Sequence, residues 1–208
     1  MSQKRKGFFI TLEGPEGSGK SSQARWLAQA LARANYRVTA LRDPGSTSLG
    51  RALRKALLHT SVPLSPTAEA LLFIGGRVRL VEERIKPALR RGHVVVCDRF
   101  HDSTVAYQGF GGGLGVPWLD RLGRRAVGGM MPNLTLLLDI PTERGFARLH
   151  RGRDRMERKA LAFHRRVRAG YLRLAKREPR RFALIDAARP PHEVQRAIAA
   201  VVRRRLVH

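Results

Sequence analysis

A glycine-rich run near the start of the sequence ends in a lysine and a hydroxyl residue. It reads Gly14-Pro15-Glu16-Gly17-Ser18-Gly19-Lys20-Ser21, which matches the pattern G-x-x-x-x-G-K-[ST]. Glycines let successive backbone N–H groups point at phosphate oxygens, and the amino end of a following helix adds positive charge. The lysine of this pattern reaches the β- and γ-phosphates, and the hydroxyl suits Mg²⁺. The sequence therefore predicts a nucleoside triphosphate site.

An acidic and a basic residue follow the apolar run 94–97. Asp98 is predicted to lie at the carboxyl end of a parallel strand beside the phosphate loop. There it could hold the hydration shell of Mg²⁺ or accept a hydrogen bond from Arg99. The guanidinium of Arg99 has the fork geometry to hold a second phosphate. A structural salt bridge at the end of the strand is the alternative.

Two further groups of residues have the types that bind a nucleotide. Phe73 and Arg77 are four apart on a predicted helix, so they share a face that could stack on a base and bond its edge. Polar residues suited to a sugar and a base follow Arg99, and they are Ser103, Thr104, Tyr107 and Gln108. A place in the apolar core is the alternative for Phe73.

An arginine-bearing segment, residues 150–157, lies between two predicted helices. Such a loop can close over a bound triphosphate and neutralise the charge that develops on a transferred phosphoryl group. A solvated linker is the alternative. The glycine run 111–113 is also predicted to be a loop, near the acceptor site.

Short β-branched apolar runs alternate with helical segments along the whole chain. We predict strands at residues 7–12, 38–41, 94–97, 134–140 and 182–185, and helices at about 21–34, 49–59, 67–91 and 192–206. This alternation is typical of an α/β domain with a parallel sheet. Gly75 and Gly76 inside the third helix suggest close approach by a ligand or another helix.

The composition is strongly basic. Lys and Arg number 41 and Asp and Glu 16, a formal net charge of +25 over 208 residues. Such a surplus suggests polyanionic partners, but the arginines lie along most of the chain without interleaved aromatic residues, which favours solvated helix faces.

No apolar run reaches the roughly 18 residues that a membrane span needs, and no signal peptide is expected. The one cysteine, Cys97, excludes an internal disulfide and indicates a reducing, cytoplasmic location.

Taken together, these motifs resemble the bacterial thymidylate kinases, from about Phe8 to Val202. The stretches that carry the resemblance are Glu13 through Ser21, Arg42-Asp43-Pro44-Gly45, Phe73-x-x-x-Arg77, Asp98-Arg99-Phe100, Ser103-x-x-Ala106-Tyr107-Gln108-Gly109 and Asp154-Arg155-x-Glu157. The resemblance implies phosphoryl transfer from ATP to dTMP with Mg²⁺, no specific nucleic acid and no membrane. It also implies a single P-loop kinase domain over residues 1–208, with a five-stranded parallel sheet between helices and a lid near 148–157, in a homodimer.

The resemblance also assigns roles to residues. Those expected to bind ATP are Gly14, Pro15, Glu16, Gly17, Ser18, Gly19, Lys20, Ser21 and Ser22. Those expected to bind dTMP are Arg42, Phe73, Arg77, Arg99, Ser103, Thr104, Tyr107 and Gln108. Those expected to act in catalysis are Lys20, Glu16, Asp98, Arg99 and Arg153, with Ser21 and Asp98 holding Mg²⁺ partly through water.

Within this scheme the expected roles differ in kind. Phe73 stacks on thymine, Arg77 bonds the edge of the base, and Tyr107 lies under the deoxyribose, where it would crowd a 2′-hydroxyl. Arg42 and Arg99 hold the acceptor phosphate. Because Gly17 stands where some members carry a loop arginine, the lid is expected to supply the catalytic one. The candidates are Arg148, Arg151 and Arg153, of which Arg153 is favoured.

Two other functions stay open at this point. One is a P-loop kinase of a different nucleoside monophosphate, or of a deoxynucleoside. The other is a nucleic-acid-binding ATPase, suggested by the net charge. Against it, the sequence shows no zinc pattern, no helix-turn-helix signal and no basic stripe interleaved with aromatic residues.

Overall fold

The computed structural model describes residues 6–60, 62–149 and 154–206. Its five strands are β1 (Phe8–Glu13), β2 (Val38–Arg42), β3 (Val94–Asp98), β4 (Leu134–Asp139) and β5 (Phe182–Asp186). They form one parallel sheet in the order β2-β3-β1-β4-β5. The predicted α/β class with a five-stranded parallel sheet is confirmed.

Helices follow the strands and cover both faces of the sheet. They are α1 (Lys20–Arg33), α2 (Ser48–His59), α3 (Pro66–Leu80), α4 (Lys86–Arg90), α5 (His101–Thr104), α6 (Val116–Ala126), α7 (Thr142–Ala147), α8 (Leu161–Arg177) and α9 (Pro191–Leu206). Two π-helical segments occur, Val81–Ile85 between α3 and α4, and Val105–Gly111 after α5. The helix predicted over 67–91 is thus one helical run interrupted by a π-helical segment.

The register of the sheet brings functional residues to one edge. Leu12 of β1 pairs with Asp98 of β3, and Arg42 of β2 pairs with Asp98 from the other side. Because all strands run the same way, their last residues and the loops that follow meet at the carboxyl edge, where open α/β sheets bind ligands.

The core fills the space between the sheet and both helix layers. All five residues of β3 are buried, and the β-branched run Val94–Val96 explains why this segment forms a central strand. On one face, α1 and α9 pack against the sheet around Leu27 and Ile198. On the other face, α8 packs around Val167 and Tyr171. No helix within the described ranges is long and apolar enough to cross a membrane.

The glycine runs 75–76 and 111–113 lie in helical segments, wholly or in part. A loop at 111–113 was the wrong expectation for Gly111, which ends a π-helical segment and is buried against α8. A Cβ there would lie 2.7 Å from side-chain atoms of Phe163 and Val167, so the packing requires glycine. At Gly76 a Cβ would lie 2.9 Å from Leu53 of α2, which agrees with close helix approach, whereas at Gly75 nothing lies within 4 Å.

Candidate active site

A cleft with a volume of about 280 Å³ opens at the carboxyl edge of the sheet. Its walls come from the phosphate loop, the loop after β2, the helices α2 and α3, the segment after β3, and residues around 154–157. The predicted site residues that line it are Glu16, Gly17, Gly19, Lys20, Ser21, Ser22, Arg42, Phe73, Arg77, Asp98, Arg99, Ser103, Thr104, Tyr107 and Gln108. Gly14, Pro15 and Ser18 are buried beneath this surface.

The phosphate loop connects β1 to α1 and takes a backbone shape that requires glycine. Gly17 has φ of 70°, and a Cβ there would lie 1.9 Å from the carbonyl oxygen of Gly145 in α7. Lys20 is buried, and its Nζ donates to the carbonyl of Pro15 at 2.6 Å. Burial and the charge of Arg99 lower the pKa of Lys20 to about 8. A buried cation that contacts a glycine-rich loop suits a phosphate chain.

Asp98 forms a polar cluster with Ser21 and Arg42. Its Oδ2 accepts hydrogen bonds from Ser21 Oγ at 2.6 Å and from Arg42 Nε at 3.0 Å. Burial alone would raise the pKa of Asp98, but the bond from Ser21 and the nearby arginines outweigh it and lower the pKa. Asp98 Oδ1 is buried and has no hydrogen-bond partner among the residues the structure describes. A carboxylate with a spare oxygen beside a hydroxyl fits the oxygen ligands that Mg²⁺ prefers.

Arg99 reaches towards the phosphate loop rather than towards Asp98. Its backbone is left-handed, with φ of 68°. Nη2 donates to Glu16 Oε1 at 2.9 Å and lies 3.3 Å from the hydroxyl of Tyr107, while Nη1 donates to Ser103 Oγ at 3.2 Å. Burial alone would raise the pKa of Glu16, but the charges of Arg99 and Lys20 lower it to about 2. Glu16 therefore faces the same side of the cleft as Arg99.

A buried arginine, Arg77, also lines the cleft. Arg77 Nε donates to Asp43 Oδ2 at 2.5 Å, and its Nη2 donates to Thr104 Oγ1 at 2.9 Å. Arg77 Nη1 is buried and finds no hydrogen-bond partner within residues 6–60, 62–149 and 154–206. Burial raises the pKa of Asp43, although the charge of Arg77 opposes this shift. Phe73 lines the cleft one helical turn away.

Three residues that the sequence did not assign belong to this site. Arg54 of α2 lines the cleft. The buried carboxylate of Glu13 accepts from Phe100 N–H at 2.7 Å, from Ser103 Oγ at 2.6 Å and from Tyr171 hydroxyl at 2.9 Å. Tyr171 lies on the buried face of α8 with Val167 and Leu174, a face that helical spacing alone shows only as apolar. The hydroxyl of Tyr171 was the one sign in the sequence that this residue could make a polar contact.

The predicted lid lies partly outside the described residues. Arg151 and Arg153, two of the three candidate lid arginines, fall there. Arg148 is described, and it donates to the carbonyls of Ala187 at 2.8 Å and Ala188 at 3.1 Å. Beyond the gap, Asp154, Met156 and Glu157 line the cleft.

Known proteins that are similar to this chain are nucleotide kinases. A family profile described as thymidylate kinase matches residues 12–198. The chain belongs to the thymidylate kinase family. A thymidylate kinase of Deinococcus radiodurans is 46% identical over 202 residues, which cover 96% of this chain and 98% of that protein. One of Thermomicrobium roseum is 48% identical over 198 residues and 94% of each chain.

A solved structure of the thymidylate kinase family agrees in fold. The crystal structure of thymidylate kinase from Ehrlichia chaffeensis is 32% identical, with a TM-score of 0.78, and covers 95% of this chain and 99% of that one. Membership of the thymidylate kinase family confirms the predicted class of enzyme, a nucleotide-binding kinase.

Proposed function

We propose that this protein transfers the terminal phosphoryl group of ATP to dTMP, which gives ADP and dTDP. The observation that carries the proposal is that Lys20 of the phosphate loop, Arg99 and Arg77 line one cleft. These three cations in one cleft suit a triphosphate, a monophosphate and a base bound together. Phosphoryl transfer needs positioning and charge neutralisation more than covalent chemistry from the protein.

On the donor side, the backbone amides of the loop Gly14–Ser22 and the ammonium of Lys20 would bind the phosphates of ATP. Lys20 now donates to a loop carbonyl and to Ser18, so phosphate oxygens would replace these acceptors. Ser21 and Asp98 would hold Mg²⁺ together with phosphate and water oxygens. When bound, the ion neutralises phosphate charge.

On the acceptor side, Arg42 and Arg99 would hold the phosphate of dTMP, with Arg54 adding a third positive charge nearby. The guanidinium of Arg99 is already oriented by Glu16 and Ser103. Tyr107 is fixed by its hydrogen bond to Glu16, so its ring would limit the space at the 2′-position of the sugar.

For the base, Phe73 would supply a stacking face and Arg77 a donor. Asp43 and Thr104 hold two of the guanidinium nitrogens of Arg77, which leaves Nη1 for an oxygen on the edge of thymine. Ser103 and Gln108 complete the acceptor set. The catalytic lid arginine is proposed to be Arg153.

The test is ADP release with ATP and Mg²⁺ in the presence of dTMP, dUMP, dCMP, UMP or dGMP in turn. We expect turnover with dTMP and at least tenfold lower kcat/KM with dCMP and dGMP, whose bases present a different edge to Arg77, and with UMP, whose 2′-hydroxyl Tyr107 would crowd. dUMP differs from dTMP only by the 5-methyl group, so its kcat/KM should fall less. A higher kcat/KM with another monophosphate would support the alternative kinase, and no acceptor-dependent ADP release would overturn the proposal.

The proposal includes the molecular setting. We place the protein in the cytoplasm as a single domain, in keeping with its one buried cysteine. We also propose a homodimer formed through the long helix. Leu71 of α3 is 51% exposed, so it would offer an apolar contact to a second copy.

A further inference from the structure

A buried carboxylate outside the cleft joins two of its walls. Glu69 lies in the first turn of α3, and its side chain is 1% exposed. Its Oε1 accepts from Arg155 Nη1 at 2.7 Å and from Lys159 Nζ at 3.2 Å, while its Oε2 accepts from Gln108 Nε2 at 2.9 Å. A buried carboxylate is costly unless it is paired in this way, so its partners are fixed relative to one another.

One of these partners belongs to the acceptor side. Gln108 is buried, lines the cleft and directly follows Tyr107. Glu69 also shares a helix face with Phe73 and Arg77, because the three residues are spaced four apart on α3. The helix that carries the proposed base-binding pair therefore carries this carboxylate one turn before them.

The other partner belongs to the segment at the end of the predicted lid. Arg155 donates from Nε to the carbonyl of Leu57 at 2.7 Å, and its backbone N–H donates to the carbonyl of Leu58 at 3.1 Å. The next residue, Met156, is buried and lines the cleft. Glu69 thus fixes the start of segment 154–159 against α2 and α3, although it does not line the cleft itself.

We propose that Glu69 is a positioning residue that holds segment 154–159 in place relative to the acceptor site, through Arg155 on one oxygen and Gln108 on the other. Loss of the carboxylate lets the two walls of the cleft move independently, so that dTMP binds less well and is held less often in the position from which it reacts. The inference rests on the proposed function.

The experiment compares Glu69→Gln with Glu82→Gln, an exposed acid later in the same helical run. We expect Glu69→Gln to raise the KM for dTMP and lower kcat, which together reduce kcat/KM for dTMP by about tenfold or more. The KM for ATP should change less than twofold, a split that general destabilisation would not produce. Glu82→Gln should match the unsubstituted protein.

A second variant separates this role from a local packing defect. Arg155→Met removes the lid partner, and we expect the same KM increase for dTMP. The double variant Glu69→Gln/Arg155→Met should be no worse than either single one, because both changes break the same link. Multiplied losses, or a Glu69→Gln enzyme that matches Glu82→Gln, would overturn the inference. If the unsubstituted protein fails to turn over dTMP, the proposed function is at fault instead.

Discussion

Arg99 combines an unusual backbone with a central position among the polar residues of the cleft. A non-glycine residue with φ of 68° is uncommon, and the hydrogen bond from Phe100 N–H to the buried Glu13 holds the chain at this point. The conformation aims the guanidinium at Glu16 and Ser103. We interpret the strain as the means by which a strand end presents a cation to the acceptor phosphate.

Removal of that cation should therefore affect turnover. We expect Arg99→Ala to reduce kcat by about 10²-fold or more, because one preorganised charge at a reacting phosphate has effects of this size. The exposed Arg25 of α1 gives the control Arg25→Ala, which should keep normal turnover. Steady-state ADP release would measure both, and a kcat for Arg99→Ala within threefold of the unsubstituted protein would contradict the assigned role.

Glu13 should show itself in the pH dependence of stability. Burial and the nearby charge of Asp102 raise its pKa from 4.5 to about 7. Between these values the folded protein binds the proton more tightly than the unfolded chain, so this carboxyl contributes less stability as the pH rises. Glu13→Gln resembles the protonated form at every pH. We therefore expect the free energy of unfolding of the variant to rise relative to that of the unsubstituted protein. The increase from pH 5 to pH 8 should be about 2 kcal/mol.

Urea unfolding of both proteins across this pH range measures that difference. Glutamine can still accept the bond from Phe100 N–H, and the hydroxyls of Ser103 and Tyr171 can turn to accept from its amide. A difference in the free energy of unfolding that stays constant from pH 5 to pH 8 would show that Glu13 does not titrate in this range.

At the scale of elements, the phosphate loop is supported by a helix far away in sequence. Gly145 of α7 contacts the loop so closely that a Cβ there would lie 2.3 Å from the carbonyl oxygen of Glu16. We expect Gly145→Ala to displace the loop and lower kcat/KM for ATP by about tenfold or more. Gly115→Ala is the matched control, since nothing lies within 4 Å of its added Cβ and its φ is negative. Equal kinetics for the two variants would mean that α7 does not hold the loop.

The elements themselves could largely be predicted from the sequence, because their signals are local. Strand β3 begins with the β-branched run Val94–Val96, and the phosphate loop has its glycines at fixed spacing between a strand and a helix. The π-helical segment Val105–Gly111 could not be predicted, since its cause is tertiary. Gly111 must pass close to Phe163 of α8, and no pattern within the segment records that contact.

The same division applies to the site. Lys20 and Asp98 could be found because a motif or a strand end marks them. Glu69 and Arg155 could not be paired from the sequence, because 86 positions separate them and only the packing of α3 against segment 154–159 brings them together. Tyr171 was hidden for a related reason, since helical spacing shows which face is buried but not that a hydroxyl on this face reaches Glu13.

At the scale of the whole molecule, the residues that give the net charge of +25 are spread along the whole chain and are not concentrated at one site. Many arginines are paired with acids, as in the bidentate contact of Arg181 with Asp102 and of Arg168 with Asp139. Others are exposed before strands, such as Arg37 before β2 and Arg91 before β3. In a parallel sheet these positions lie at the amino edge, opposite the cleft.

This distribution predicts polyanion binding without specificity. Duplex DNA should bind at low salt, and its affinity should fall by roughly 10³-fold or more between 50 mM and 200 mM salt if six or more phosphates are contacted. DNA should not stimulate ADP release, because the exposed cations at the amino edge do not touch the phosphate loop. A filter-binding titration in salt, with an ADP assay alongside, measures both. Binding that resists salt, or ATP hydrolysis that DNA accelerates, would instead make nucleic acid a functional partner. The surplus positive charge would then serve to bind that partner.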